Sequence, residues 1–169
     1  KSESFEIEIG LDKDNKKINL DLSKYQNLLV VGNKFTGVVD FLNNVLATSI
    51  AKYSPDELRI IAMDGIRNDL IVLNQIPYSL TPIIIEPEIL IIALILIISE
   101  VERRLKVFSD LGEQDIKEWN YKTGFQAMPN IIIVINSLEQ FLLFSPPEIE
   151  DNICRLMLIG RKAGVFLVV

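Results

Sequence analysis

Two short segments near the start of the chain, FEIEI (5–9) and KINLDL (17–22), alternate apolar and polar residues on either side of the turn-rich DKDNKK. That pattern predicts a β-hairpin with one buried face. Further on the pattern changes. NLLVVG (27–32), ELRIIAMDG (57–65), NIIIVIN (130–136) and VFLVV (165–169) are apolar without alternation, and Pro82 to Ile85 is a shorter run of the same kind. Stretches of helical period lie between them: roughly Gly37 to Lys52, Glu86 to Asp110, and a segment opening at Pro146 and Pro147. Strands that are apolar on both sides and interleaved with helices predict a mostly parallel sheet covered on both faces, so the class is α/β with a small N-terminal hairpin. Glu86, Pro87 and Glu88 suit a helix start, and Arg103, Arg104 and Lys106 suit its last turns as cations at a helix end. The run ILIIALILII (89–98) is shorter than the roughly 20 residues a membrane span needs, and it is expected to be the buried part of a core helix.

Composition narrows the chemistry. The chain has 169 residues, and 17 Lys plus Arg against 23 Asp plus Glu leave a net charge of −6. One domain is expected, with residues 1–26 as the hairpin region and 27–169 as the core, and without a whole-domain basic footprint for nucleic acid. Histidine is absent, which removes Ser-His-Asp and Cys-His nucleophile systems, HExxH zinc sites and histidine proton shuttles. A single cysteine, Cys154, allows no internal disulfide and fits a reducing, cytoplasmic compartment. Its neighbours Ile153, Leu156 and Met157 suggest a small core residue. KSESFEIEIG has no signal-peptide character, while the abrupt stop on an apolar run suggests a core cut inside a larger fold.

In parallel α/β sheets, ligands bind at the carboxyl ends of the strands. The first such turn is VVGNKFTGVVDF, in which Gly32 and Gly37 stand five apart between a buried strand and a helix. This is the frame of a phosphate loop, G-x-x-x-x-G-K-[ST], and equally that of a plain strand-to-helix turn.

Longer matches extend the comparison. From about Ile9 to Val169 the chain resembles the motor domain of the FtsK/SpoIIIE family of DNA translocases. The likeness is carried by IGLDKDNKKINLDLSKYQNLLVVG, PDELRIIAMDGIRNDLIVLNQIPYSLTPII, SEVERRLKVFSDLGEQDIKEWN, MPNIIIVINSLEQFL and ICRLMLIGRKAGVFLVV. The resemblance implies a RecA-like P-loop NTPase core, with ATP and Mg²⁺ as the family ligands. It places a Walker A loop on Gly32, Asn33, Lys34, Phe35, Thr36, Gly37, Val38 and Val39, and a Walker B end on Asn136 and Ser137.

The departures fall on the chemistry. The Walker A lysine position holds Val38 and the hydroxyl position Val39, so neither phosphate contact nor Mg²⁺ ligation is available there. Phe35 stands where backbone should approach phosphate, and Asp40 offers its own carboxylate to the helix N-terminus that would hold the anion. Asn136 replaces the metal-ordering Asp, and Ser137 the water-polarising Glu. The family's Asp-Pro-Lys keeps Asp64 but continues with Gly65 and Ile66, and its His after Ile-Pro is Tyr78. Lys34 as an anion contact and Glu139 as a displaced base are the candidate substitutes, each set against an ordinary solvated role. Arg161, matching the family's Gly-Arg-x-Ala-Gly arginine, could face a neighbour's nucleotide in a ring or simply face solvent. Trp119 is expected to pack rather than stack on a base.

These features predict a degenerate ATPase that takes no cofactor and serves a structural or regulatory role in a translocase ring, alone or beside an intact paralogue. DNA enters as a partner by resemblance only, with weak, salt-dependent binding expected of this chain. The alternatives are an active translocase with an atypical loop and a degenerate module of a type VII secretion motor. No transmembrane segment is expected in these residues, although the parent protein could be membrane-tethered.

Overall fold

The computed structural model describes residues 4–33, 35–66, 69–70, 76–124, 127–144 and 147–169. Strands β1 (Glu6–Leu11) and β2 (Lys17–Asp21) form the antiparallel hairpin, followed by a single helical turn, α1 (Leu22–Tyr25). Asp12 shapes the hairpin turn by accepting from the Asp14 and Lys16 amides at 2.7 and 2.9 Å. Then come α2 (Val38–Lys52), β3 (Leu58–Asp64), α3 (Pro87–Asp110), α4 (Ile116–Thr123), β4 (Asn130–Asn136), α5 (Leu138–Phe144), α6 (Pro147–Ile159), a 3-10 turn (Gly160–Ala163) and β5 (Val165–Val168).

Strands β3, β4 and β5 pair in parallel, in that spatial order. Two further extended segments widen the sheet. Residues 28–30 run beside β5, with the Leu28 amide donating to the Leu167 carbonyl and the Val169 amide to the Leu28 carbonyl, each at 2.9 Å. At the other side, residues 79–84 run beside β3 through Leu80 to Ile60 and Ile84 to Ala62, again at 2.9 Å. The strand before Gly32 is therefore separated from β4 by β5. This arrangement confirms the predicted α/β class and hairpin.

Alternation along the buried strands sorts their side chains into two cores. Ile61, Met63, Ile131, Ile133, Ile135, Val165 and Leu167 face α3 and α6, while Leu58, Ile60, Ala62, Ile132, Val134, Phe166 and Val168 face α2 and the hairpin. Phe5 of the hairpin stacks on Phe166 with ring centroids 5.4 Å apart. Burying both faces explains why the strands lack polar alternation. A smaller cluster, Phe108, Ile116 and Trp119, seats α4, so Trp119 packs as expected. The polar stretch from 111 to 129 nevertheless holds a helix, which Asp115 caps by accepting from the Lys117 and Glu118 amides.

Helix α3 departs from expectation in two ways. Only Leu90, Leu94, Ile97, Ile98 and the positions continuing that stripe are buried; Ile89, Ile92, Ile95 and Leu96 are exposed. The run 89–98 is thus apolar on its outer face as well as its core face. Second, although the helix ends at Asp110 as expected, its last turn holds no basic residue, so Arg103 and Arg104 are not end cations. Arg104 is only 4% exposed and its Nη1 donates to the Pro129 and Ala163 carbonyls at 2.8 and 2.9 Å, while its Nε donates to Glu100 at 2.8 Å. Burial lowers the Arg104 guanidinium from its ordinary value, against the hydrogen bond it donates to Glu100, which raises it. One arginine thereby ties α3 to the loops entering β4 and β5.

Hydrogen bonding from Arg103, and then from Arg104, holds the Glu100 carboxyl down at about 2 against an ordinary 4.5. A carboxyl depressed by folding stabilises above its unfolded value and loses that contribution as the pH falls between the two. Acid unfolding is therefore expected to steepen between about pH 4.5 and 2. Glu100→Gln should flatten that part of the curve, as read by circular dichroism against pH.

Candidate functional site

The turn leaving the first sheet strand folds in on itself. Asn33 Oδ1 accepts from the Phe35 amide at 3.0 Å, and the Asn33 carbonyl accepts from the Thr36 amide at 3.0 Å and from Thr36 Oγ1 at 2.8 Å. This is an Asx turn, which satisfies locally the N–H groups that a phosphate loop would aim at its anion. The space beside Gly32 is filled by Thr36 Oγ1 and Val38 Cγ2, the latter 2.6 Å from where a Cβ would stand. Gly37 takes a left-handed φ of 78° to start α2 and its carbonyl accepts from Phe41 at 2.9 Å. Val38 and Val39 are half-buried, with Val38 packed on the core shared by α2 and the hairpin. Phe35 is 91% exposed, and Asp40 is exposed in the first turn of α2. Lys34 lies outside the described residues.

At the carboxyl end of the sheet, parallel register sets Asn136 of β4 beside Asp64 of β3. Both side chains are buried. Asn136 Nδ2 donates to Asp64 Oδ1 at 3.0 Å and reaches Asp69 Oδ2 at 3.4 Å. The Asp64 carboxylate also accepts from the backbone amides of Ile66 (3.2 Å), Asp69 (2.8 Å) and Leu70 (3.4 Å). Among the described residues it thus has four donors, none of them an arginine or lysine. Asn136 is one of those donors, and its carbonyl accepts from the Gly65 amide at 3.1 Å. An amide here does something an aspartate could not, because it gives hydrogen bonds to a carboxylate. Asn43 of α2 extends the network by donating to the Asp69 carbonyl at 2.8 Å.

Ser137 follows with a positive φ of 57°, and its carbonyl opens α5 by accepting from the Gln140 amide at 3.0 Å. That carbonyl and the Gln140 Cβ each lie 2.9 Å from where a Cβ on Gly65 would stand. The close approach requires glycine at 65. Glu139 is exposed on the first turn of α5. Tyr78, at the family's histidine position, lies within donating reach of the Ile50 and Tyr53 carbonyls at 3.1 and 2.9 Å, so it closes the end of α2.

Arg161 lies in the 3-10 turn before β5, at the amino ends of the strands and so at the opposite pole from Gly32 and Asn136. There it lines a cleft of about 790 Å³ with Lys117, Tyr121 and Lys162. Cys154 is exposed, contrary to expectation, because α6 turns Ile149, Ile153 and Leu156 inward at i, i+4 and i+7. Among the described residues, no three His, Cys, Asp or Glu converge on a site for a metal ion.

Sequence reasoning singles out Gly32 to Val39 and Asn136 but not Asp69, Asn43 or the acceptor role of Asp64. No linear spacing links 43, 64, 69 and 136; only the register of β3 on β4 joins them.

Comparison with known proteins follows the same outline. The FtsK/SpoIIIE family model matches residues 1–169. A protein named DNA translocase FtsK from Caldanaerobacter subterraneus subsp. tengcongensis is 32% identical over 166 residues, which is 97% of this chain and 23% of that protein. One of the same name from Clostridium tetani is 33% identical over 165 residues, covering 95% of this chain and 22% of its own length. The chain therefore spans less than a quarter of these relatives. Among solved structures, EssC (ATPases 2 and 3) from Geobacillus thermodenitrificans superposes with a TM-score of 0.82 at 18% identity, over 98% of this chain and 32% of the other. That similarity establishes the shared P-loop ATPase fold.

Proposed function

The chain belongs to the FtsK/SpoIIIE family, and from that membership we propose that residues 1–169 are a motor-type module that neither orders Mg²⁺ nor hydrolyses ATP. Its part in a translocase ring is structural or regulatory, beside further copies or an intact paralogue. One observation carries this reading: both halves of the family's nucleotide site are turned to internal bonding. The Gly32–Gly37 loop spends the amides of Phe35 and Thr36 on Asn33, and the Walker B position spends its side chain on Asp64. ATP and Mg²⁺ do not fit these residues. Valines at 38 and 39 offer neither a cation for phosphate nor a hydroxyl for the metal, and Asp40 adds a like charge at the start of α2.

DNA, on this reading, is met by the assembly rather than by this module alone, since a net charge of −6 opposes the phosphate backbone. Arg161, far from the module's own loop, remains the residue with which it could reach a neighbour.

Titration with a fluorescent ATP analogue in the presence of Mg²⁺ tests the reading. No saturable binding is expected up to millimolar nucleotide. Saturable micromolar binding that Mg²⁺ strengthens would reject it.

A further inference from the structure

The outer face of α3 and the neighbouring sheet edge form a groove that the nucleotide-loop chemistry does not use. It is about 500 Å³ in volume, and its walls are almost wholly apolar, with Leu80, Pro82 and Ile85 on one side and Ile89, Ile92 and Leu96 on the other. The last three are 48%, 58% and 63% exposed. Burying such side chains is favourable, and a contiguous apolar patch on a surface marks a place where something else binds.

The arrangement specifies what that is. Ile89, Ile92 and Leu96 stand at i, i+3 and i+7 on α3, with Ala93 between them. This is the spacing of a helix–helix seam, and the alanine lets a second helix approach closely. A strand is the wrong shape for the neighbouring edge, because Pro82 interrupts its ladder of donors. One end of the groove is acidic, while Glu100 at the other is paired with Arg103 and Arg104. Glu86 and Glu88 stand at its end, neither is in an ion pair among the described residues, and Glu86 makes no capping bond. No lysine or arginine occurs from residue 80 to 99. That acidic end repels an anionic lipid surface and attracts a basic one. Thr81 lines the groove, and its Oγ1 is buried without a hydrogen-bond partner among the described residues.

We infer that this groove is a docking site for an amphipathic helix of another protein, with aliphatic residues on one face and lysine or arginine along its margins. The inference stands apart from the nucleotide question: the groove lies on the α3 side of the sheet, and the Asp64 network lies beside α2.

A three-heptad peptide with leucine at the seam positions and lysine elsewhere is the probe, read by fluorescence anisotropy against the 169-residue chain. Saturable binding in the micromolar range is expected, at least tenfold weaker for Ile92→Glu and for Leu96→Gln. The Ile92→Glu change adds an anion, which on charge alone would strengthen binding of a basic peptide. A fall therefore reports the apolar contact. Because both side chains are more than half exposed, the variants should melt as the parent does. A matching leucine–glutamate peptide should bind at least tenfold more weakly. Three outcomes would overturn the inference: peptide binding indifferent to both variants, binding to equimolar phosphatidylglycerol–phosphatidylcholine vesicles instead of peptide, or self-association lost on Ile92→Glu without peptide binding. The last would assign the face to a second copy of this chain.

Discussion

ATP turnover by this chain is expected to equal a protein-free blank, and to stay there when Val38→Lys and Val39→Thr are introduced together. Phosphoryl transfer depends on positioning and on neutralising charge over the phosphate, which requires loop amides, a cation, Mg²⁺ and an oriented water at once. The double variant restores two of these groups in the wrong setting. The amides of Phe35 and Thr36 remain engaged by Asn33, and the room beside Gly32 remains taken by Thr36 Oγ1. Asn136 and Ser137 still supply neither a metal-ordering carboxylate nor a base. Steady-state phosphate release above the blank that disappears on Lys34→Ala would overturn this, because it would mean that the loop lysine has taken over the missing cation's work.

Restoring the Walker B carboxylate by Asn136→Asp should cost about 3–5 kcal/mol of folding stability at neutral pH, the range seen when a buried charge loses its compensation. The change is nearly isosteric, so volume is not the cause. It turns a donor 3.0 Å from Asp64 into a second acceptor in a site only a few per cent exposed. Asn136→Ala, although it removes more atoms, should cost less, about 1–3 kcal/mol, since it deletes one hydrogen bond without adding a charge. The two also differ in sign with pH. The aspartate variant should recover stability on mild acidification, because protonating one carboxyl restores a donor, while the alanine variant should not. Urea melts at two pH values measure both. An aspartate variant as stable as the parent at neutral pH would show that Asn136 and Asp64 are not coupled.

Such a pair also shows what a linear reading can and cannot reach. The strands were legible because burial on both faces leaves an unbroken apolar run, as in NIIIVIN, and α2 and α3 because their core stripes recur at helical spacing. Helix α4 was not, since its eight residues bury little beyond Ile116 and Trp119 and their surroundings are polar. Cys154 was misplaced because its apolar neighbours lie on the next face of α6, and one residue along a helix is a turn of 100°. Arg104 reads as an end charge in the sequence because its acceptors, the Pro129 and Ala163 carbonyls, lie far along the chain. The loop residues Gly32 to Val39 stand out by their frame and by family likeness. That the Phe35 and Thr36 amides are already engaged is visible only in three dimensions.

The pairing of residues 28–30 with β5 bears on how the polypeptide comes to be made. Leu28 and Val30 find their sheet partners in Leu167 and Val169, roughly 140 residues further along, and Phe5 finds its ring partner in Phe166. A nascent chain emerging from the ribosome can close the hairpin at once, but among the described residues its first sheet strand pairs only with β5, which is made far later. Contacts so distant in sequence slow folding and leave apolar segments open in the meantime. NLLVVG therefore lacks these partners until residues 165–169 have been made, which leaves an apolar stretch open over about 130 residues of synthesis.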